Sequence, residues 1–346
     1  MRQSIVIKLT TDAGLVGWGE TYALAGVRAA IRDVLAPLLI GRDPLDRGQL
    51  HQQAWDATFG NGFAVGGIDI ALHDLCGKAL GVPVHQLFGG ARRSHVPVYA
   101  SGLCYFPDTD PATYWLDEAC VLLSRGFSRG IKMRIGRFPP EHELPLIARV
   151  REALPPTVKL MVDAWGSYTP ATALRVGRAL HDLGLYWYEE PLPQAGYAGY
   201  PELCAALDIA VAGGEMLGSR ADFKVAIDAR AFDIVQPDIC ICGGIGEALF
   251  VADLARLAGI QCAPHSWNGA IMNAATLHLA ALLPDPTRMP GFDVPMLEFD
   301  TTENPCMTDE LAEPLSLREG CFEVPMSSGL GVEIDEERIR AAALDE

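Results

Sequence analysis

Basic residues are scarce in this 346-residue chain: 27 Lys and Arg stand against 44 Asp and Glu, a formal net charge of −17. Such a field repels phosphate backbones and argues against a nucleic-acid partner. Long apolar runs are also missing. The richest, near Ala270–Leu283, is interrupted by Asn273, Thr276 and His278 and is too short and polar for a membrane span. The N-terminus lacks a charged region followed by an apolar stretch, so no secretory signal is visible. Nine cysteines are scattered singly apart from Cys240-Ile-Cys242, a spacing that is neither a CxxC redox pair nor a zinc knuckle. An odd number fits reduced thiols, and a cytoplasmic location is expected. Low-complexity tracts are absent, and with 49% hydrophobic and 21% charged residues the chain can bury a large core.

What is present falls into two parts. Ser4–Leu9 and Leu15–Gly19 alternate apolar and polar residues around Thr11-Asp12-Ala13-Gly14, which predicts an antiparallel hairpin. A helix is expected at about Val27–Leu39. Another is clearer: Ile68, Ala71, Leu72, Leu75, Cys76, Ala79 and Leu80 recur on one helical face, with Gly81 and Pro83 ending it. Residues 1–92 therefore read as a small α+β unit. From Val96 the pattern becomes strand and helix in alternation. Strands are expected at Val98–Ser101, Gly130–Met133, Lys159–Val162, Tyr186–Tyr188, Ala210–Val211, Asp233–Val235, Ile260–Ala263 and Met296–Leu297. Amphipathic helices intervene, among them Leu144–Leu154, Ala171–Leu183, Ile245–Leu257 and Ala270–Leu282. Repeated βα units indicate a parallel closed barrel over residues 93–309, with short strands and turns from 310–346 returning to the first unit.

Asp163, Glu189 and Glu215 each follow an apolar run that reads as a strand, and successive members lie 26 residues apart. That interval suits one βα repeat, so a barrel brings the three acids to its C-terminal mouth. One such acid alone is best read as a solvated strand-end residue. Three in register would repel one another and ask for a hard divalent cation, Mg²⁺ above all. Lys132 and Arg134 lie two apart on the second strand, so both can enter the barrel. Asp238, His265 and Glu298 end the sixth, seventh and eighth strands, with 27 residues from Asp238 to His265. A carboxylate beside an imidazole orients it and raises its basicity, as a general base requires.

In this combination the chain resembles the enolase superfamily, and within it the mandelate racemase group. The match takes in the strand-end acids, the Lys-x-basic pair, Asp238/His265 and Glu298. It also takes in the stretches Gly17-Trp-Gly-Glu20 and Gly67-Ile-Asp-Ile-Ala-Leu-His-Asp-Leu-Cys-Gly-Lys78. The resemblance implies an α/β fold, a modified TIM barrel of (β/α)7β form. Residues 1–92, completed by 310–346, would be an α+β capping domain. It implies Mg²⁺ held by Asp163, Glu189 and Glu215, and a small anionic carboxylate substrate. A base would abstract the α-proton through an enediolate. Of Glu189 and Glu190 only one can point inward, and the ligand role goes to Glu189.

Two departures refine that expectation. Racemases of this family usually carry Lys-x-Lys, whereas Arg134 occupies the second position and makes a poor base. His265 is then the principal base, Lys132 and Arg134 stabilise the enolate, and Glu298 hydrogen-bonds the bound carboxylate or a hydroxyl. One base on one face suits dehydration of a sugar acid to a 2-keto-3-deoxy acid. The alternatives are a racemase, epimerase or lactone cycloisomerase. More distant are a phosphate-binding barrel using Gly243–Gly246 as an anion nest, and a binding protein without turnover. The chain also starts inside the family's cap pattern, so the usual first strand and lid loop are expected to be missing. Residues Trp55–Phe63 would supply the remaining cap contact. A homo-oligomer is expected.

Overall fold

The computed structural model describes residues 2–107, 109–194, 197–285 and 294–344. The chain opens with an antiparallel hairpin, β1 (Ser4–Thr10) and β2 (Val16–Tyr22). Its turn is closed by the Gly14 N–H donating to the Thr11 carbonyl at 3.0 Å. The expected helix at Val27–Leu39 is divided into α1 (Val27–Ala29), a π-helical stretch Ala30–Leu35, and α2 (Ala36–Leu39). Pro37 brings no N–H to the ladder, and the turn before it widens accordingly. Next come α3 (Arg47–Ala57) and the long α4 (Gly62–Leu80), which ends at left-handed Gly81 as its sequence foretold.

The remainder alternates strictly. In order it runs β3 (His95–Gly102), α5 (Trp115–Ser124), β4 (Gly130–Arg134), α6 (Pro140–Ala153), β5 (Lys159–Asp163) and α7 (Pro170–Asp182). It continues with β6 (Trp187–Glu189), α8 (Tyr200–Ala206), β7 (Ala210–Gly213), α9 (Arg220–Asp228), β8 (Ile234–Val235) and α10 (Ile245–Ala258). Then come β9 (Gln261–Cys262), α11 (Ala270–Leu282), β10 (Leu297–Asp300) and the short α12 (Pro305–Asp309). Strands β3 to β9 pair in parallel in chain order, and β10 returns to pair in parallel with β3. The architecture is a modified (β/α)7β barrel. Met161, Trp187, Ala212, Ile234 and Tyr99 pack inside it, while Ile131, Met133 and Ile135 join the core under the helices.

The tail divides its contacts. Short strands β11 (Leu317–Arg318) and β12 (Cys321–Glu323) extend the barrel sheet, β12 pairing antiparallel with the start of β3. That start projects beyond its parallel neighbours and leaves an edge to fill. Helix α13 (Glu336–Ala341) then reaches the hairpin, where Glu336 pairs with Lys8 at 2.7 Å. The Asp74 carboxylate of α4 joins hairpin and tail. It accepts from the Trp18 and Leu330 N–H groups, both at 2.8 Å, and from Lys78 Nζ at 2.7 Å.

Close backbone approach fixes the hairpin over the barrel. A Cβ at Gly19 would lie 2.2 Å from the Gly67 carbonyl oxygen of α4, and one at Gly66 would lie 2.5 Å from the Ile239 carbonyl oxygen after β8. Helix α4 is thus wedged between β2 and the loop that carries Asp238. Glu20 of β2 meets Glu310 of the tail at the N-terminus of α11. There Met272 N–H donates to Glu20 at 2.8 Å and Ile271 N–H to Glu310 at 3.1 Å. Burial pushes the Glu20 carboxyl up to about 7, and burial and the Glu20 charge raise Glu310 well above the usual range.

A carboxyl raised by folding favours the fold while protonated. Its contribution is complete below about pH 4.5 and lost as pH rises through about 7. Glu20→Gln should therefore melt close to wild type at pH 5 and above it at pH 8, a gain on the order of 3 kcal/mol. An equal difference at both pH values in thermal melts would contradict this placement of the proton.

Candidate active site

Strand register places the acidic residues side by side. Across β4, β5 and β6 the paired positions are Arg134, Asp163 and Glu189, so three functional side chains stand in one row at the C-terminal edge. Alternation sends Lys132, Met161 and Trp187, two residues earlier on these strands, into the barrel beneath them. Glu215 arrives differently. After β7 the chain turns at Gly214, whose φ of 101° is open to glycine and strained for other residues. This brings Glu215 back over the mouth. Asp163, Glu189 and Glu215 are all buried and offer oxygens within 4.8 Å of one another, the sole such cluster among the described residues.

Each acid has a protein partner as well. Lys132 Nζ contacts Glu189 and lies 2.8 Å from Glu298 and 3.9 Å from Asp163. Arg134 pairs with Asp163. The second Glu189 oxygen accepts from Trp187 Nε1 at 2.9 Å and Gln236 Nε2 at 2.8 Å. Burial, opposed by Lys132 and reinforced by the neighbouring acids, pushes the Glu189 carboxyl up to about 8. Burial likewise raises Glu215 despite His265 beside it. Burial works against the charge on Lys132, yet Glu189, Glu298 and Asp163 raise its ammonium further and hold it protonated.

Asp238 and His265 sit next to each other on the ends of the sixth and seventh strands, joined by an isolated parallel bridge. The imidazole Nδ1 lies 2.7 Å from Asp238 Oδ2, and Nε2 lies 3.3 Å from Glu215, so the ring faces the carboxylate cluster. Burial lowers the pKa of His265, but Glu215, Asp238 and Glu298 together raise it to about 10. Glu298 accepts from the Ser266 N–H at 3.3 Å. Burial would raise it, yet Lys132 and His265 hold it near 2.

All eight residues singled out in the sequence therefore converge at one mouth. Glu190 turns away through a left-handed backbone (φ 42°) and accepts from the Gly214 N–H at 2.8 Å. Trp165, largely exposed, lends its N–H to Asp163 at 2.9 Å. Within Trp55–Phe63, Gly62 packs on the Ile241 carbonyl and Phe63 stands edge-on to Tyr22. The phosphate-nest alternative fails. Asp69 of α4 already fills the turn before α10, accepting from the Ile245 N–H at 2.8 Å.

Sequence reading missed several participants. Trp187 and Gln236 were signalled by the two-residue period before Glu189 and Asp238. Trp267 lies under the guanidinium groups of Arg134 (5.3 Å) and Arg2 (4.2 Å). Tyr22, on the hairpin, donates to Asp238 Oδ2 at 2.7 Å, and nothing local in the sequence announced it.

Comparison with known proteins agrees with this geometry. The Mandelate racemase / muconate lactonizing enzyme N-terminal domain matches residues 1–89, and the Enolase C-terminal domain-like family matches residues 115–338. The chain is 36% identical to D-galactarolactone cycloisomerase of Agrobacterium fabrum, over 98% of this chain and 90% of that protein. It is 32% identical to arabinonate dehydratase of Saccharolobus solfataricus, over 95% of this chain and 88% of the relative. The crystal structure of 3,6-anhydro-D-galactonate cycloisomerase from Zobellia galactanivorans superposes with a TM-score of 0.90 at 32% identity, covering 100% of this chain and 95% of that one. No helix among the described residues is long and apolar enough to cross a membrane. With both halves matched and the strand-end acids in register, the chain belongs to the mandelate racemase group of the enolase superfamily.

Proposed function

We propose that this protein is a Mg²⁺-dependent lyase that removes the proton α to the carboxylate of a sugar acid and expels the β-hydroxyl, giving a 2-keto-3-deoxy acid. The observation that carries it is His265 facing the Asp163, Glu189 and Glu215 oxygens across 3.3 Å, with Asp238 behind it. The donor set fits the metal: all ligands are carboxylate oxygens, the type Mg²⁺ prefers. Five buried carboxyls (Asp163, Glu189, Glu215, Asp238 and Glu298) gather around only two permanent cations, Lys132 and Arg134, and this surplus of acidic groups suits a divalent cation. Mg²⁺ held there supplies positive charge beside the substrate carboxylate, where negative charge collects as the C–H bond breaks.

The protein's own groups do the rest. His265 must be neutral to act, and Glu215 is the foremost of the groups raising its basicity. A cation held by Glu215 would share its charge and weaken that hold. Asp238 keeps the Nδ1 proton in place, leaving Nε2 to take the α-proton. The C–H electron pair moves toward the carboxylate oxygens, where Lys132 and Arg134 add to the positive potential. It then returns to form the C=C bond as the β C–O bond breaks. His265 gives its proton to the leaving oxygen, releasing water, and the enol becomes the keto acid. Arg134 stays protonated, so one face of the substrate has no second base.

Sugar-acid dehydratases among the relatives, for arabinonate, D-xylonate and D-galactonate, support the substrate class. The two cycloisomerases support a second reading, in which the leaving oxygen belongs to the substrate's own ring and stays attached. Both eliminations use the same proton abstraction. Screening aldonates, aldarates and their lactones with Mg²⁺ separates them. Dehydration gives a keto acid lighter by one water, whereas ring opening conserves mass.

His265→Asn should lower turnover by at least about a thousandfold while Mg²⁺ affinity in calorimetry stays within about threefold. Retained turnover would remove His265 as the base. Added Mg²⁺ should raise the melting temperature of the wild type, and Glu215→Gln should weaken Mg²⁺ binding at least about tenfold. Unchanged affinity would take Glu215 out of the ligand set.

A further inference from the structure

The hairpin strand β2 reaches the proton-transfer pair from outside the barrel. Asp238 Oδ2 accepts two hydrogen bonds of 2.7 Å, one from His265 Nδ1 and one from the Tyr22 hydroxyl, and Oδ1 accepts the Cys240 N–H at 2.7 Å. The carboxylate is thereby fixed in rotation. Burial and the Asp238 charge raise the Tyr22 phenol well above its ordinary value, so it keeps its proton and serves as donor. Its ring stands edge-on to Phe63 at 6.0 Å, which holds the hydroxyl in place. The same strand anchors the flanks of the pair. Cys240 Sγ lies 3.2 Å from the Glu20 carbonyl oxygen, and the Glu20 side chain accepts from the start of α11, shortly after His265.

We propose that Tyr22 is a positioning residue for proton abstraction: its hydroxyl orients Asp238 and limits that carboxylate's pull on the imidazole proton. A carboxylate oxygen already accepting from a phenol is a weaker acceptor for a second donor. Proton sharing with Asp238 is reduced, and the imidazole stays aligned with Nε2 toward the metal cluster. The inference rests on the proposed proton abstraction by His265. It adds that one of the groups setting the geometry of the base belongs to the N-terminal unit rather than to the barrel.

Tyr22→Phe removes the hydroxyl and keeps the ring. On the sugar acid that the wild type converts fastest, at saturating Mg²⁺, kcat should fall roughly 10- to 100-fold, with KM within about threefold and Mg²⁺ affinity unchanged. In an Asp238→Asn background the same substitution should cause no further loss, because its effect runs through Asp238. In substrate-free protein, the low-field proton resonance of the His265 Nδ1–H should move downfield as Asp238 becomes the stronger acceptor. A folded Tyr22→Phe protein with kcat within twofold of wild type, or with an unmoved resonance, would overturn the proposal. A large rise in KM with kcat preserved would overturn it in favour of direct substrate contact. If no sugar acid is converted at all, the proposed function fails, and the resonance still decides the role of Tyr22.

Discussion

Concentrated negative charge in a dry place is the constraint on which the rest of this structure depends. Three carboxylates meet inside a barrel mouth where water is excluded, and such anions are stable only when paired, protonated or bound to a cation. Lys132 and Arg134 relieve part of the load, and Glu189 still sits near 8. That residual imbalance leaves Asp163, Glu189 and Glu215 as a group that could hold a cation.

The scaffold converts this constraint into geometry by register. Arg134, Asp163 and Glu189 form one row because β4, β5 and β6 are paired without stagger at their ends. Trp187 and Gln236 support Glu189 from beneath. The N-terminal unit is no passive cover. Its α4 packs against the Asp238 loop through glycine, and its β2 sends Tyr22 to the dyad and Glu20 to the helix that follows His265. The surroundings of Asp238 and His265 thus depend on the seating of one unit on the other.

Much of the fold was legible because its signals are local. Hydrophobic periodicity marks α4 through Ile68, Leu72 and Leu75, and left-handed Gly81 ends it where the pattern stops. The barrel strands follow from apolar runs at βα spacing, although β6 and β8 begin one residue later than those runs. The split of Val27–Leu39 around Pro37 was not legible, since a π-helical stretch leaves the apolar spacing almost unchanged. The tail reaches the first unit through Glu336 and Leu330, and its β12 also completes the edge of β3, a pairing with no local signal in the sequence.

The chain by itself determined which residues could carry chemistry. Acids, lysine and imidazole stand at strand ends whose spacing follows from the length of a βα unit. Tertiary structure alone decided what surrounds them. Glu190 turns away because its backbone is left-handed, Asp69 fills the glycine turn that could have held a phosphate, and Tyr22 crosses from the hairpin to Asp238. The physical reason is distance along the chain. Periodicity encodes which face a residue takes within its own element. A hydrogen bond between residues 216 positions apart exists only once two units are packed together.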